Sequence, residues 1–103
     1  MNGQRDVFAE MKERERVALL QEADQKRKEQ DTYNVMRTEE GRRFVYQILK
    51  ACGVYAPSFN TNALTMAFNE GKRAIGVALV EQLRQSCNEF YSTMLEEQSG
   101  EHK

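Results

Sequence analysis

Five groups of residues have types or spacings that could support chemistry. The first is His102, the only histidine, which stands in the polar tail EEQSGEHK. A histidine in a tail cannot complete a triad or a His-ligated metal site on folded elements. The second is the cysteine pair, Cys52 and Cys87, which has neither CxxC spacing nor neighbouring histidines. Both fall on apolar helix faces and read as reduced core residues, with a disulfide between them as the alternative. The third is Ser58, which has no histidine near it to act as a base and reads as a turn hydroxyl. The fourth is the two acidic pairs, Glu39-Glu40 and Glu96-Glu97. Adjacent side chains diverge on a helix, so these are dipole-favouring or solvating charges rather than an acid/base pair.

The basic residues form the last group. Lys26-Arg27-Lys28 lies among Asp24, Glu29 and Asp31, as a solvated helix face does. Arg42, Arg43, Lys50, Lys72 and Arg73 could meet a phosphate or the carboxylate of a neighbouring chain. There is no Walker loop and no glycine-rich turn after a strand. These residues predict no catalytic site, no metal, no cofactor and no small-molecule substrate.

The chain that must position these groups has 103 residues, the size of one small domain. It is 40% hydrophobic and 30% charged, with one proline and six glycines, and so offers long periodic segments and few turns. That composition predicts an all-α fold. A formal net charge of −1 supplies no general basic excess for nucleic acid, so any DNA contact would be local and weak. No apolar run approaches the roughly 20 residues needed to span a bilayer. The start MNGQRDVFAEMKERER has no apolar signal core. Both features predict a soluble protein.

Three helices follow from the pattern. A charged N-terminal helix or arm covers about 4–31 within a segment 1–36. It has no glycine or proline from Arg5 to Asp31, and Glu10/Arg14, Glu22/Lys26 and Asp24/Lys28 stand four apart. Its sparse apolar residues, among them Phe8, Met11, Ala18 and Leu19, make a thin stripe. A helical-hairpin core occupies 37–98. Its first arm, about 38–52, starts at Thr38 as N-cap and presents Phe44, Val45, Ile48, Leu49 and Cys52 on one broad face. Gly53 stands at the C-cap position. Gly41 can admit another backbone closely. A loop containing Pro57 follows, and Val54, Tyr55 and Phe59 are apolar enough to fold back over the end of the hairpin. The second arm, about 62–97, keeps its apolar phase across Gly71 and Gly76. One helix therefore fits better than a break at Gly71, and Gly71, Ala74 and Ala78 then form a shallow strip for close helix packing. Residues 99–103 read as a disordered tail.

The lengths do not match. The second arm spans about 54 Å and the first only about 22 Å. Phe90, Tyr91 and Met94 therefore need cover from the first helix or from a second chain, which predicts an oligomer or a larger assembly.

The residues T-E-E-G-R-R-F-V from Thr38, L-K-A-C-G-V from Leu49, S-F at Ser58-Phe59 and A-F-N-E-G-K-R-A-I-G from Ala67 to Gly76 carry a resemblance. Together they resemble a small protein family of tailed bacteriophages, typified by a Bordetella-podovirus protein from the virion-assembly region. The match covers Thr38 to Leu83. The resemblance implies a non-enzymatic structural or assembly protein near the portal, internal core or DNA-ejection apparatus of a short-tailed phage. Its partners would be other virion proteins, such as portal or core proteins, and copies of itself. It would reside in the virion, and in the host cytoplasm before assembly. Arg42, Arg43, Lys72, Arg73, Phe90, Tyr91 and Met94 are the partner-contact candidates. Gly41, Gly71, Gly76, Ala74 and Ala78 are the helix-packing candidates. A nucleic-acid-contacting accessory protein and a small regulatory adaptor are the alternatives.

Overall fold

Helix-favouring residues, capped at each start, form three α-helices among the described residues: α1 (Val7–Met36), α2 (Glu39–Ala51) and α3 (Ala63–Gln98). The structure is a computed structural model that describes residues 6–57 and 59–100. The first two residues of the expected N-terminal helix, Ser58, His102 and the tail from 101 lie outside the described residues.

Each helix begins on a side chain that accepts one of the free N–H groups of its first turn. The Asp6 carboxylate accepts from the Ala9 N–H at 3.0 Å, Thr38 Oγ1 from Gly41 at 3.0 Å, and Asn62 Oδ1 from Thr65 at 2.9 Å. At the end of α2, Gly53 takes φ 78°, where a side chain would be strained. The Gly53 N–H then donates to Lys50 O and the Val54 N–H to Leu49 O. This closes the helix and turns Val54 back onto the core.

The core is small. Met36 from α1, Val45 and Leu49 from α2, and Leu83, Cys87, Tyr91 and Met94 from α3 are buried. Helix α1 runs to Met36, beyond the expected end near residue 31. Its last turns pack: Thr32 and Met36 are buried, and the Tyr33 ring meets Phe90 at 5.3 Å. Thr32 is satisfied twice, donating to Lys28 O and accepting from Gln82 Nε2 at 2.8 Å. Helix α3 has no break at Gly71. It bends instead at Cys87 (φ −163°, ψ 64°), with no glycine or proline beside it to mark the place.

The expected deficit of cover lies at the other end of α3. Phe90, Tyr91 and Met94 are covered within the chain, by the last turn of α1 and by α2. The reason is the path of the loop after α2. A tight hairpin would lay α2 along the start of α3. Instead the end of α2 abuts Gly76, well inside α3, so residues before Gly76 project past it. A Cβ at Gly76 would overlap Val54 Cγ2 and lie 2.8 Å from Cys52 Cβ. Helix α1 also projects, and its residues from Val7 to Lys28 are exposed apart from a half-buried Glu10. The radius of gyration is 20.4 Å, against about 13 Å for a compact domain of this size. The molecule is flat, measuring 72 × 38 × 15 Å.

Candidate functional site

The start of α2 holds the best-formed polar site. Arg42 donates from Nε and Nη2 to the two carboxylate oxygens of Glu97, both at 2.8 Å. Its Nη1 donates to Met36 O at 3.0 Å, and its guanidinium lies 6.0 Å from the centre of the Phe90 ring. The planar fork of arginine suits a bidentate carboxylate, and neither partner is well exposed, with side chains 11% and 18% accessible. The hydrogen bond to Glu97 raises the Arg42 pKa; desolvation opposes it, and the charges of Glu97, Glu39 and Glu40 add to it. Arg42 thus ties the end of α1, the start of α2 and the last turn of α3. It is a clasp, and is not free to meet a partner. Glu97 was legible only as a solvating charge, because its partner is 55 residues away in sequence.

The other basic candidates do not join Arg42 in one patch. Arg43 pairs with Glu39 one turn earlier at 3.1 Å. Lys50 lies at the far end of α2, over the Tyr46 ring. Lys72 lies over its own neighbour Phe68, 5.1 Å from the ring centre, and Arg73 is half-buried.

A tyrosine cluster closes the opposite end of α2. The rings of Tyr46 and Tyr55 stack at 5.5 Å, and the Tyr55 and Tyr91 hydroxyls lie 3.1 Å apart. Arg84 sits over Tyr91. Burial, then the hydrogen bond to Tyr91, pushes the Tyr55 phenol well above its ordinary range. Cys52 and Cys87 are both free thiols, so the disulfide alternative is not formed. Burial, with a smaller contribution from Glu89, pushes the Cys87 thiol up, which keeps it protonated.

The expected cover from the loop forms in part. Val54 packs against the core and Tyr55 reaches Tyr91, but Phe59 is 79% exposed and covers nothing. On α2, Val45 and Leu49 are buried while Phe44 and Ile48 remain open, because the expected apolar face is wider than α3 can cover.

Of the packing glycines, Gly41 and Gly76 sit at close approaches. A Cβ on Gly41 would overlap the Val35 carbonyl oxygen. Gly71 has nothing within 4 Å of its Cβ position, and Ala74 and Ala78 are exposed, so none of the described elements packs on that strip. As contact surfaces, Tyr91 and Met94 are withdrawn into the core and Phe90 is half-covered. The exposed apolar surface lies on the projecting arms instead. Leu64, Phe68 and Ile75 on α3 are 83%, 65% and 70% exposed, and Phe8, Leu19 and Leu20 on α1 are also open.

A groove where the three helices meet is mostly apolar, bordered by Val35, Met36, Val45, Ile48, Leu79 and Leu83. Among the described residues no group of three or more His, Cys, Asp or Glu could hold a metal ion. No helix of the described residues is long and apolar enough to cross a membrane.

The family model for Bbp19-like phage protein matches residues 33–96. The chain belongs to this family. The match begins in the last turn of α1 and ends in the last turn of α3, so it takes in the core, Arg42 and the tyrosine cluster, stops one residue short of Glu97, and omits the α1 arm. No curated protein and no solved structure matches the chain. It is a phage protein with an all-α fold of three helices.

Proposed function

We propose that this Bbp19-like protein is a non-enzymatic structural or assembly component of a short-tailed phage particle, seated near the portal, internal core or DNA-ejection apparatus. Membership of the phage family carries the reading. The shape supports it. A small core holds two long arms whose apolar residues stay open, which suits a protein that binds its neighbours through helices. The partners on this reading are portal or core proteins and further copies of the chain. The Arg42–Glu97 clasp is used within the fold, where it holds the three helices together.

Mass spectrometry of purified virions tests the reading. The protein should be present at a fixed stoichiometry and resist salt washing of the particles. Its absence from virions, with presence in the infected-cell lysate, would sink the reading in favour of a regulatory adaptor.

A further inference from the structure

The exposed stripe at the start of α3 has a pattern that identifies its occupant. Leu64, Phe68 and Ile75 are its large residues, and all three are open to water. Ala67, Gly71, Ala74 and Ala78 are its small ones, and they are exposed too. Measured from Gly71, the other six positions lie at three, four and seven residues on either side. That spacing places them on one helix face over two heptads, with Gly71 at the centre. A face arranged evenly about its own midpoint can pair with a copy of itself.

We infer that α3 is a self-association helix: residues 64–78 of two copies pair antiparallel about a two-fold axis at Gly71. The register gives each edge of the pairing its own contacts. Leu64 of each copy lies opposite Ala78 of the other. Phe68 meets Ile75 of the second copy along one edge, and Ala67 meets Ala74 along the other. The two Gly71 residues meet on the axis, and since nothing of this chain lies within 4 Å of the Gly71 Cβ position, that space is free for a backbone.

The direction follows from where α1 crosses α3. Thr32 of α1 is hydrogen-bonded to Gln82, on the same side of α3 as the stripe. A parallel mate would run on past Ala78 into α1. An antiparallel mate ends in time, because its α3 starts at Ala63, level with Leu79, short of Gln82. A groove of about 550 Å³ between α1 and α3, bordered by Gln25, Ile75, Ala78 and Leu79, is open where Leu64 of the second copy would arrive. Burying both stripes removes on the order of 1,000 Å² from water, enough for a specific but modest interface. The pairing is a concentration-dependent dimer. It deepens the reading of the chain as one that works by docking, but stands independently of any place in a particle.

Sedimentation velocity of the purified full chain over a concentration series is the test. The expected result is a monomer–dimer equilibrium that raised salt does not weaken, since the contact is apolar. Phe68→Glu should weaken dimerisation at least about tenfold. Leu19→Glu, an equally exposed apolar site on α1, should leave it unchanged. Circular dichroism of each variant confirms that it remains folded. Orientation is read by mixing Leu64→Cys and Ala78→Cys chains under mild oxidation and mapping the cross-linked peptides. A 64-to-78 disulfide between copies is expected. A chain that stays monomeric throughout, a dimer indifferent to Phe68→Glu, or cross-links joining 64 to 64 would each overturn the inference. None of these results bears on whether the protein is found in virions, so the two readings fail separately.

Discussion

Replacing Gly41 by alanine tests how α1 hands over to α2. Gly41 lies in the first turn of α2, directly against the last turn of α1. An added Cβ would overlap the Val35 carbonyl oxygen, lie 2.8 Å from the Val35 carbonyl carbon and sit 3.0 Å from Thr38 Oγ1. The obstacle is backbone, so no side chain can swing away, and α2 must shift off the end of α1. That shift strains the Thr38 cap on the Gly41 N–H and the Arg42 bond to Met36 O, both 3.0 Å. Overpacking of this kind costs about 1–3 kcal/mol, and a weakened cap adds up to about 1 kcal/mol. Alanine recovers at most about 1 kcal/mol of helix preference over glycine, and less in a first turn. The net expectation is a loss of about 2 kcal/mol, or roughly 10 °C in melting temperature for a domain of this size. Gly71→Ala is the matched control. Its Cβ meets nothing within 4 Å, so it should stabilise the dilute monomer by up to about 1 kcal/mol. Thermal melts followed by circular dichroism compare the three proteins. A Gly41→Ala chain melting at or above the wild type would refute the close approach of α1 and α2.

Two other perturbations address the polar contacts. Arg42→Met should cost about 2–3 kcal/mol in urea unfolding, because Glu97 is left mostly buried without its fork; Arg42→Met with Glu97→Leu should recover part of that loss, and equal costs would argue against a coupled pair. The Tyr55 phenol is raised above its ordinary value of 10.0, so the folded state holds that proton more tightly than the unfolded chain does. Its contribution is present in full below pH 10 and is lost as pH rises towards the raised folded value. Alkaline unfolding curves should therefore show falling stability above about pH 10, and Tyr55→Phe should flatten that fall. An unchanged slope in the variant would place its cause elsewhere.

Much of the fold was legible because its signals are local. Thr38 caps the helix that follows it, and Gly53 ends α2 as its position announces. Gly41 was readable as a close-approach site, although the backbone it meets was not. The polar site was less legible. Arg42 stood among the candidates for an outside partner, while its true partner, Glu97, looked like one more solvating charge. No local pattern links two residues on different helices. The kink at Cys87 left no trace either, since neither glycine nor proline marks it.

The sequence by itself determined three helices, the Thr38 cap and the Gly53 stop of α2, and the membership of a phage protein family. Each of these depends on residues a few positions apart or on a motif read in order. Only the tertiary structure decided which end of α3 is covered. The loop after α2 brings the end of that helix to Gly76, so Tyr91 and Met94 fall within the chain's own core with Phe90 packed against it, and Leu64, Phe68 and Ile75 are left in water. An amphipathic stripe records that a face must be buried. Which partner buries it depends on the path of the connecting chain, and that path is set by packing between helices far apart in sequence.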